Sequence, residues 1–356
     1  PTKSHNVTTP EEVSNLPRRS ARIAEKNVNR VNYSSSYRAM KLVKALKLDD
    51  IIVDPAIPPT NSLVDVQSGR YGTKWVEAAD NEFAGLVQQD FADIVPFANV
   101  PKDKHILPSL VLFSEKSDGS AKCRFVARGD LQREWQDTFA STVFKESIRL
   151  LLTEAAINDH EIASFDVIKA FIYSKIDDGT VIYLQIPKGY VDPFGRKSNG
   201  CCFLLKRWIY GTKEAPKKLS ILFTNYMKSL KFTNCLLDPN MFIRNEPNSE
   251  HGVSRVGAHV DDGLVTMHHN LLKKFISDIE KRFAITFQNR CVKYIGIQFY
   301  RIREMRIIGL HQSDYIRKCL KAFKRNSLRK YRTPLPSTLD FIKMSGDVQA
   351  KPELIK

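Results

Sequence analysis

Two adjacent carboxylates, Asp261 and Asp262, are the residues of this sequence best placed to do chemistry. They separate two short apolar runs in Arg255-Val-Gly-Ala-His-Val-Asp-Asp-Gly-Leu-Val-Thr266, a pattern that predicts a hairpin with both acids at its tight turn. Carboxylate oxygens are ligands that Mg²⁺ prefers, so such a tip could hold the ion against a phosphate. The dipeptide alone does not identify the site, because Asp49-Asp50 and Asp177-Asp178 repeat it, the latter again between β-rich runs.

The composition of the chain favours a polyanionic partner. Its 356 residues are 42% hydrophobic, enough to bury a core, and the length alone predicts two or three domains. Lysine and arginine outnumber aspartate and glutamate by 55 to 39, which gives a net charge of +16. Such a surplus is typical of proteins that bind nucleic acid, and a charge surplus that serves only solubility is the alternative.

The spacing of cysteines and histidines predicts no zinc site. The six cysteines form no Cys-x-x-Cys pair, so neither a zinc knuckle nor a disulfide framework is expected. His259, His268 and His269 invite a metal interpretation, but adjacent histidines in a strand point to opposite faces and are not expected to share an ion. No apolar run approaches the roughly 18 residues of a membrane span, so we expect an intracellular protein without membrane contact.

Residues 1–70 are expected to form a basic linker. They carry Ser, Asn, Thr, Pro and scattered basic residues, with few large apolar side chains. A solvated tether is the simpler interpretation, and loose contact with a phosphate backbone is the alternative. Order is expected to begin near Trp75, where Trp75, Ala79, Phe83 and Leu86 recur at helical spacing.

Beyond Trp75, helices and strands are mixed without regular alternation, which predicts an α+β fold with an antiparallel sheet backed by helices. Asp118-Gly119 between apolar runs is a strong hairpin signal, and Asp166 is expected in a strand that leads into a helical start, within residues 161–173. The other predicted elements are helices at 146–158, 218–232 and 270–283, a strand at 181–186, a hairpin at 294–311 and a basic helix from Tyr315.

A series of motifs resembles the reverse transcriptase region of polyproteins from copia-type (Ty/copia) LTR retrotransposons, and most of all their yeast branch. One such motif would be weak, but together they extend from about Trp75 to Pro336 in the order of the family. The motifs are Trp75-Val-Glu-Ala-Ala, Ala121-Lys-Cys-Arg-Phe-Val-Ala-Arg-Gly129, Asp137-Thr-Phe-Ala, Phe165-Asp-Val-Ile-Lys-Ala-Phe171, Ile186-Pro-Lys-Gly189, Tyr210-Gly-Thr-Lys-Glu-Ala-Pro216, Val260-Asp-Asp262, Tyr294-Ile-Gly296, Leu310-His-Gln-Ser-Asp-Tyr315 and Thr333-Pro-Leu-Pro336.

The resemblance implies a right-hand polymerase fold with fingers, palm and a partial thumb, and the chemistry of nucleotidyl transfer. In that chemistry a primer 3′ hydroxyl attacks the α-phosphorus of a deoxynucleoside triphosphate (dNTP), and carboxylates from different strands bridge two divalent cations about 4 Å apart. By resemblance, Asp166, Asp261 and Asp262 are these catalytic ligands, for two Mg²⁺ ions or for Mn²⁺ as a substitute. On sequence alone, a lone Asp such as Asp166 is more typical of a helix cap.

The resemblance also assigns residues to the dNTP. Lys122, Arg124 and Arg128 alternate on one strand, and Lys122 and Arg124 are expected at the triphosphate, with Arg128 in a structural role. An exposed basic strand face without a ligand is the alternative. Phe171 is expected beneath the sugar, where its ring would collide with a 2′ hydroxyl and exclude ribonucleotides, and a packed core position is the alternative.

Further residues are assigned to the nucleic acid. Tyr210 and Gly211 resemble the segment against the nascent base pair, and Tyr294, Ile295 and Gly296 the turn that grips the primer terminus. The basic helix from Tyr315 would cradle the duplex backbone, with its aromatic residues packed onto the palm. The implied partners are an RNA template, a DNA primer and dNTPs, together with integrase and RNase H from the same polyprotein. The implied location is the cytoplasm or a virus-like particle, with entry into the nucleus.

The expected organisation is that of a polyprotein fragment. It comprises a linker at 1–70, fingers and palm at 71–310, a partial thumb or connection at 311–340 and a tail at 341–356. No aspartic protease signature precedes the polymerase motifs, and the tail is too short for RNase H.

Departures from the family pattern indicate a diverged copy. The usual Tyr-Val-Asp-Asp reads His259-Val-Asp-Asp, Ser141 stands where Pro is typical, and Glu214, Lys217 and Leu219 replace the usual Gln, Arg and Trp. A carboxylate at position 214 would repel a triphosphate unless it faces away. Two other functions stay open: a silent remnant that only binds nucleic acid or a partner, and a two-metal nuclease, which would not explain the nucleotide-side motifs.

Overall fold

The computed structural model describes residues 62–116 and 118–323. The predicted linker up to residue 61, and the thumb and tail beyond residue 323, lie outside the described residues. The helices are α1 (Leu63–Gln67), α2 (Thr73–Gln88), α3 (Lys145–Ile157), α4 (Ala215–Ser229), α5 (His269–Glu280) and α6 (Ser313–Ala322). The strands are β1 (Ala92–Pro96), β2 (Ile106–Leu107), β3 (Ser109–Glu115), β4 (Ala121–Ala127), β5 (Glu161–Val167), β6 (Tyr183–Gln185), β7 (Cys201–Leu205), β8 (Thr233–Asn234), β9 (Met241–Asn245), β10 (Val253–His259), β11 (Asp262–Met267), β12 (Ile285–Gln288), β13 (Lys293–Tyr294), β14 (Ile297–Ile302) and β15 (Ile307–His311).

A six-stranded antiparallel sheet forms the centre of the fold, in the order β12-β5-β11-β10-β9-β8. Helix α3 packs on one face, where Ile148 and Leu151 meet Leu264. Helices α4 and α5 pack on the other, where Phe223 and Phe275 lie in the same core as Val265. Because successive residues of a strand point to opposite faces, Leu264 and Val265 can fill both cores. The predicted α+β class, with an antiparallel sheet backed by helices, is confirmed.

A second layer lies against α2 and carries the hairpin predicted at Asp118-Gly119. Strands β3 and β4 pair in antiparallel register from Ser109↔Ala127 to Glu115↔Ala121, and a four-stranded sheet of order β1-β7-β6-β2 adjoins them. Aromatic rings fill the space between these elements: Phe125 lies 6.0 Å from Phe203 and 5.3 Å from Phe83, centroid to centroid. The apolar residues whose spacing predicted α2 therefore form one face of this core.

The boundary of the predicted linker at residue 70 is wrong. Residues 63–67 form α1, in which Leu63 and Val66 are buried, and the Ser62 hydroxyl caps the helix by accepting from the Asp65 amide at 3.3 Å. Two apolar residues three positions apart are too short a pattern to indicate a helix from sequence. Its stability comes from packing, since a helix of this length does not form alone.

The C-terminal part described contains the predicted hairpin and the start of the predicted basic helix. Strands β13, β14 and β15 form a three-stranded antiparallel sheet, and α6 follows it. Packing of the aromatic residues of this helix onto the palm was expected, but Tyr315 is 60% exposed and Phe323 63%, so within the described range they are not packed. None of the described helices combines the length and apolar character that crossing a membrane requires.

Candidate active site

Strand register brings Asp166 and Asp262 together although they are far apart in sequence. Strands β5 and β11 pair so that Asp166 lies directly opposite Asp262, and Asp261 occupies the turn immediately before β11. One carboxylate oxygen from each of the three residues lies within 4.8 Å of the others. Among the described residues, no other group of three acidic, histidine or cysteine side chains meets this criterion.

The turn that carries Asp261 has an unusual backbone. In the two-residue loop between His259 and Asp262, Val260 has a φ of 58°, which lies in the left-handed region. A β-branched residue rarely adopts that conformation, so the loop is strained. The Val167 amide donates to the Asp261 carbonyl at 2.9 Å, which ties the turn to the end of β5.

Gly263 allows the two strands to approach at this point. A Cβ at position 263 would collide with the ring of Phe165, its cross-strand neighbour. The ring fills the space under the hairpin and also contacts Phe223, with centroids 6.2 Å apart. The glycine after the paired carboxylates is thus a packing requirement of the site.

The carboxylate cluster carries mutually repelling charges. Burial, followed by the charges of Asp166 and Asp261, raises the pKa of Asp262 to about 6, and burial together with the charge of Asp261 raises the pKa of Asp166. Repulsion of this kind is relieved by a cation, and a set of three carboxylates suits a hard divalent ion. The residues therefore fit the metal site that the sequence predicted. The competing pair at Asp177 does not, because Asp177 forms an ion pair with Lys218, and Asp49 lies outside the described residues.

Lys122 and Arg124 extend from one face of β4. Residues Cys123, Phe125 and Ala127 point into the core and leave the two cations on the other face. Burial and the charge of Arg124 lower the pKa of Lys122, while the charges of Asp166 and Asp261 act in the opposite direction.

Arg128 is outside the strand that was expected to carry it together with Lys122 and Arg124. It lies just beyond the end of β4, and its guanidinium makes a bidentate pair with Asp130 at 2.8 and 2.7 Å. This pairing agrees with the structural role expected for Arg128, since both groups are committed to each other.

Tyr210 connects the substrate-side residues to the carboxylates. Its phenol donates to Oδ2 of Asp261 at 3.2 Å, its ring meets Phe171 edge-on at 4.6 Å between centroids, and the guanidinium of Arg124 lies 5.5 Å from its centroid. Burial and the charge of Asp261 raise the pKa of Tyr210, so the phenol stays protonated and keeps its role as donor. Sequence reasoning assigned Tyr210 to the site and did not find these contacts.

Gly211 is required by the approach of β4. Its φ is +90°, and a Cβ would collide with the carbonyl oxygen of Ala127. The Ala127 amide in turn donates to the Tyr210 carbonyl at 2.8 Å. The backbone contact holds Tyr210 beside the strand that carries Lys122 and Arg124.

Phe171 is 7% exposed and belongs to the core, as the alternative interpretation expected. Its ring contacts Tyr210, and the role as a sugar gate stays a prediction. It lies in a 3₁₀ turn, Ala170–Tyr173, preceded by Lys169 in the left-handed conformation with φ 52° and ψ 44°. This strained residue sets the direction in which the chain leaves Asp166.

Lys169 is held by Glu82, a contact that sequence reasoning missed. The Lys169 ammonium forms an ion pair with the Glu82 carboxylate and donates to the Glu82 carbonyl at 3.1 Å. The other carboxylate oxygen accepts from the Phe125 amide of β4 at 3.2 Å, and Gly85 provides the space for the lysine stem. A charged residue on the apolar stripe of α2 was the available signal, because such positions are rarely charged without a partner.

The predicted primer grip is divided between a buried ring and an exposed turn. The Tyr294 side chain is 4% exposed, and its Oη lies 3.0 Å from the Gly257 carbonyl and 3.1 Å from the Asp262 carbonyl. Ile295 and Gly296 form the turn, with φ of 46° and 76°. Tyr294 therefore braces the hairpin from behind, and only the turn faces outward.

The departures at positions 214 and 141 have structural partners. The Glu214 carboxylate is buried and accepts hydrogen bonds at 3.0 Å from the Gln132 side chain and from the Gln136 amide. The carboxylate is therefore engaged inside the protein and does not face the solvent. The Ser141 hydroxyl accepts from the Asn240 amide group at 2.5 Å.

The histidines were expected not to be metal ligands, and the geometric reason given for this was wrong. His268 and His269 lie at the start of α5 rather than in a strand, and their rings are 4.2 Å apart between centroids. The His268 ring caps the helix by accepting from the Asn270 amide at 3.3 Å. His259 ends β10 opposite Asp262. Within the described part of the chain, these rings do not belong to a converging ligand set.

Comparison with known proteins identifies the family. The family described as reverse transcriptase (RNA-dependent DNA polymerase) matches residues 93–336, well over half of the chain, and the chain belongs to it. The Pol polyprotein of transposon TNT 1-94 from Nicotiana tabacum is 28% identical over 291 residues, which are 79% of this chain and 21% of that protein. The Pol polyprotein of transposon RE1 from Arabidopsis thaliana is 28% identical over 275 residues, 74% of this chain and 18% of that protein.

These relatives support the copia-type resemblance, and since they are plant elements the expected yeast branch stays a prediction. The chain spans about a fifth of the length of the relatives it matches. A foamy viral protease-reverse transcriptase, solved in complex with double-stranded DNA, aligns with 73% of this chain and 38% of its own, at 11% identity and a TM-score of 0.39. That score is too low to support any residue role.

Proposed function

We propose that this chain is an RNA-directed DNA polymerase that transfers nucleotides from dNTPs to a primer 3′ hydroxyl. The convergence of Asp166, Asp261 and Asp262 at the junction of β5 and β11 carries the proposal. Nucleotidyl transfer needs carboxylates grouped in this way, and membership of the reverse transcriptase family supports the same reaction over other two-metal chemistries.

Divalent cations, Mg²⁺ in the first place and Mn²⁺ as a substitute, are the proposed cofactors. Asp166, Asp261 and Asp262 would hold them, and when bound a pair of such ions neutralises charge on the attacking and leaving oxygens. Tyr210 keeps the Asp261 carboxylate oriented through its hydrogen bond. Tyr294 and the Val167 amide fix the backbone of the hairpin on which two of the three ligands lie.

The remaining residues are proposed to bind and select the substrates. Lys122 and Arg124, on the face of β4 next to the carboxylates, bind the triphosphate. Phe171 excludes the 2′ hydroxyl, with its position fixed by Tyr210. Gly211 lies beside the nascent pair, and Ile295 with Gly296 contacts the primer end. The proposed partners are an RNA template and a DNA primer, with further domains of a Pol polyprotein.

A primer-extension assay tests this function. The parent chain, Asp261→Asn and the control Asp178→Asn are given an end-labelled DNA primer on an RNA template with dNTPs and Mg²⁺. Asp178 belongs to the other described Asp-Asp pair and lies outside the carboxylate cluster. Its variant therefore makes the same charge change away from the proposed metal ligands. We expect extension by the parent and the control, and a loss of at least about a hundredfold in Asp261→Asn.

The same assay distinguishes the alternatives. A silent remnant that only binds nucleic acid would retain the labelled duplex in a gel-shift experiment and extend it in none of the three proteins. A two-metal nuclease would shorten the labelled primer, and Asp261→Asn would abolish this cleavage. Either outcome, or equal extension by the parent and Asp261→Asn, contradicts the proposed polymerase.

A further inference from the structure

A basic cavity lies at the end of the 3₁₀ turn that follows β5. It has a volume of about 450 Å³ and lies between residues 173–177, helix α4 and the segment that follows α5. None of the three clustered aspartates is among its lining residues. No motif of the sequence and no role proposed above accounts for it.

The lining of this cavity has a strong positive charge. It contains the cations Lys175, Arg207, Lys218 and Arg282 and a single carboxylate, that of Asp177. Lys218 is neutralised by its ion pair with Asp177, and Arg207 donates to the Ile172 carbonyl at 3.2 Å. Across residues 62–116 and 118–323, Lys175 and Arg282 make no ion pair with a carboxylate. Concentrated unpaired cations in a concave site attract an anion.

We infer that this cavity binds a phosphate group through Lys175 and Arg282. Phosphate oxygens only accept hydrogen bonds, and both of these cations donate, so the chemistries are complementary. The cavity is larger than a single phosphate, which leaves room for the rest of a pyrophosphate, a nucleotide or a strand of nucleic acid. The shared chemistry is the phosphate, and the source is decided by experiment.

Binding is measured on the full chain with two probes, radiolabelled pyrophosphate by equilibrium dialysis and a short fluorescent single-stranded oligonucleotide by anisotropy. Both assays contain EDTA and no primer duplex, so the result is independent of whether the chain extends a primer. The test variant is Lys175→Gln/Arg282→Gln, and the control is Lys228→Gln/Lys273→Gln. The control pair consists of exposed helical lysines outside the cavity and makes the same charge change.

We expect Lys175→Gln/Arg282→Gln to bind at least one of the two probes about tenfold more weakly than the control variant does. If binding of the oligonucleotide is weakened, the slope of log K against log salt should become shallower by about 1.4, the value for two phosphates of a single strand. The phosphate that the cavity binds then belongs to a nucleic-acid strand. If only pyrophosphate responds, the source is a free polyphosphate. Equal effects of the two variant pairs on both probes would mean diffuse attraction and would overturn the assignment.

Discussion

The phenol oxygen of Tyr210 lies 3.2 Å from Oδ2 of Asp261, and the ring of the same tyrosine meets Phe171 edge-on at 4.6 Å between centroids. One side chain thus contacts both a proposed metal ligand and the proposed sugar gate. Position 210 precedes Gly211, whose backbone is pressed against Ala127, so the tyrosine has little freedom to move away. The arrangement couples the geometry of the carboxylates to that of the nucleotide pocket.

Tyr210→Phe separates these two contacts, because it removes the hydrogen bond and keeps the ring. Hydrogen bonds to charged groups contribute about 1.5–3 kcal/mol, so we expect kcat for primer extension to fall by roughly tenfold to a hundredfold. Discrimination between dNTPs and ribonucleotides should stay within about twofold of the parent, since the ring still supports Phe171. If Tyr210→Phe extends the primer at the rate of the parent, or loses only sugar selectivity, the phenol does not orient Asp261.

Phe171→Val tests the gate itself. Shortening this side chain opens the space beneath the sugar, and we expect the preference for dNTPs over ribonucleotides to fall by at least about tenfold. The substitution also costs roughly 1–3 kcal/mol of stability through lost packing. Phe232→Val is the matched control, because Phe232 is 1% exposed and packs against Phe275 far along the chain from the proposed pocket. Loss of sugar selectivity in both variants, or in neither, would argue against a gate at Phe171.

The ion pair of Glu82 and Lys169 should position the same pocket from behind. It joins α2, β4 and the turn that carries Phe171 through one carboxylate. Removing one partner of such a pair leaves an uncompensated charge, so the single variants Lys169→Met and Glu82→Gln are each expected to lower the free energy of unfolding by roughly 3 kcal/mol. The double variant Glu82→Gln/Lys169→Met should lose less than the sum of the two single variants. Urea unfolding of the two single variants and the double variant gives the coupling energy.

A kinetic measurement separates positioning from stability in that set. With the protein kept well below its unfolding midpoint, the single variants should raise KM for dNTPs more than they lower kcat, because β4 and Phe171 face the nucleotide. Additive stability effects, together with an unchanged KM, would limit the pair to an ordinary surface contact.

Sequence periodicity was sufficient for α2 and for the hairpin that carries two of the three clustered carboxylates. The apolar stripe from Trp75 predicted α2, and the runs around Asp261 and Asp262 predicted the hairpin. The alignment of Asp166 with Asp262 needed the family resemblance, because the register between β5 and β11 depends on packing that no local pattern contains. Helix α1 was missed for the same reason, since only tertiary contact stabilises so short a segment.

The contacts among side chains were beyond sequence reasoning even for the residues that it singled out. Tyr210 was matched to the nascent pair, but its bond to Asp261 follows from the backbone contact between Gly211 and Ala127. Glu214 was suspected of repelling substrate, yet it is satisfied by Gln132, a partner 82 positions away. Polar residues in the interior find partners that depend on the complete fold, and their spacing in sequence does not indicate them.

Asp262→Asn should stabilise the metal-free protein while abolishing extension. In the folded state the pKa of Asp262 is raised to about 6 by burial, then by Asp166 and Asp261, above its ordinary value of 3.8. A carboxyl group whose pKa rises on folding binds protons more tightly in the native state, so its contribution to stability falls as pH rises from about 4 to 6. Neutralising the residue removes that loss above pH 6.

The expected gain is about 1 kcal/mol, because the Asp262 side chain is partly exposed and solvent screens the repulsion. For a chain of this size that corresponds to a rise of roughly 2–4 °C in Tm, measured by circular dichroism in EDTA. The difference between Asp262→Asn and the parent should be present at pH 7.5 and shrink towards pH 4, where the parent carboxyl is protonated in the folded state and about half protonated in the unfolded state. Asp178→Asn, outside the cluster, should show no such difference. A lower Tm for Asp262→Asn at pH 7.5 would mean that the carboxylate is stabilised by its surroundings, and the cluster would then lose its main electrostatic reason to bind a cation.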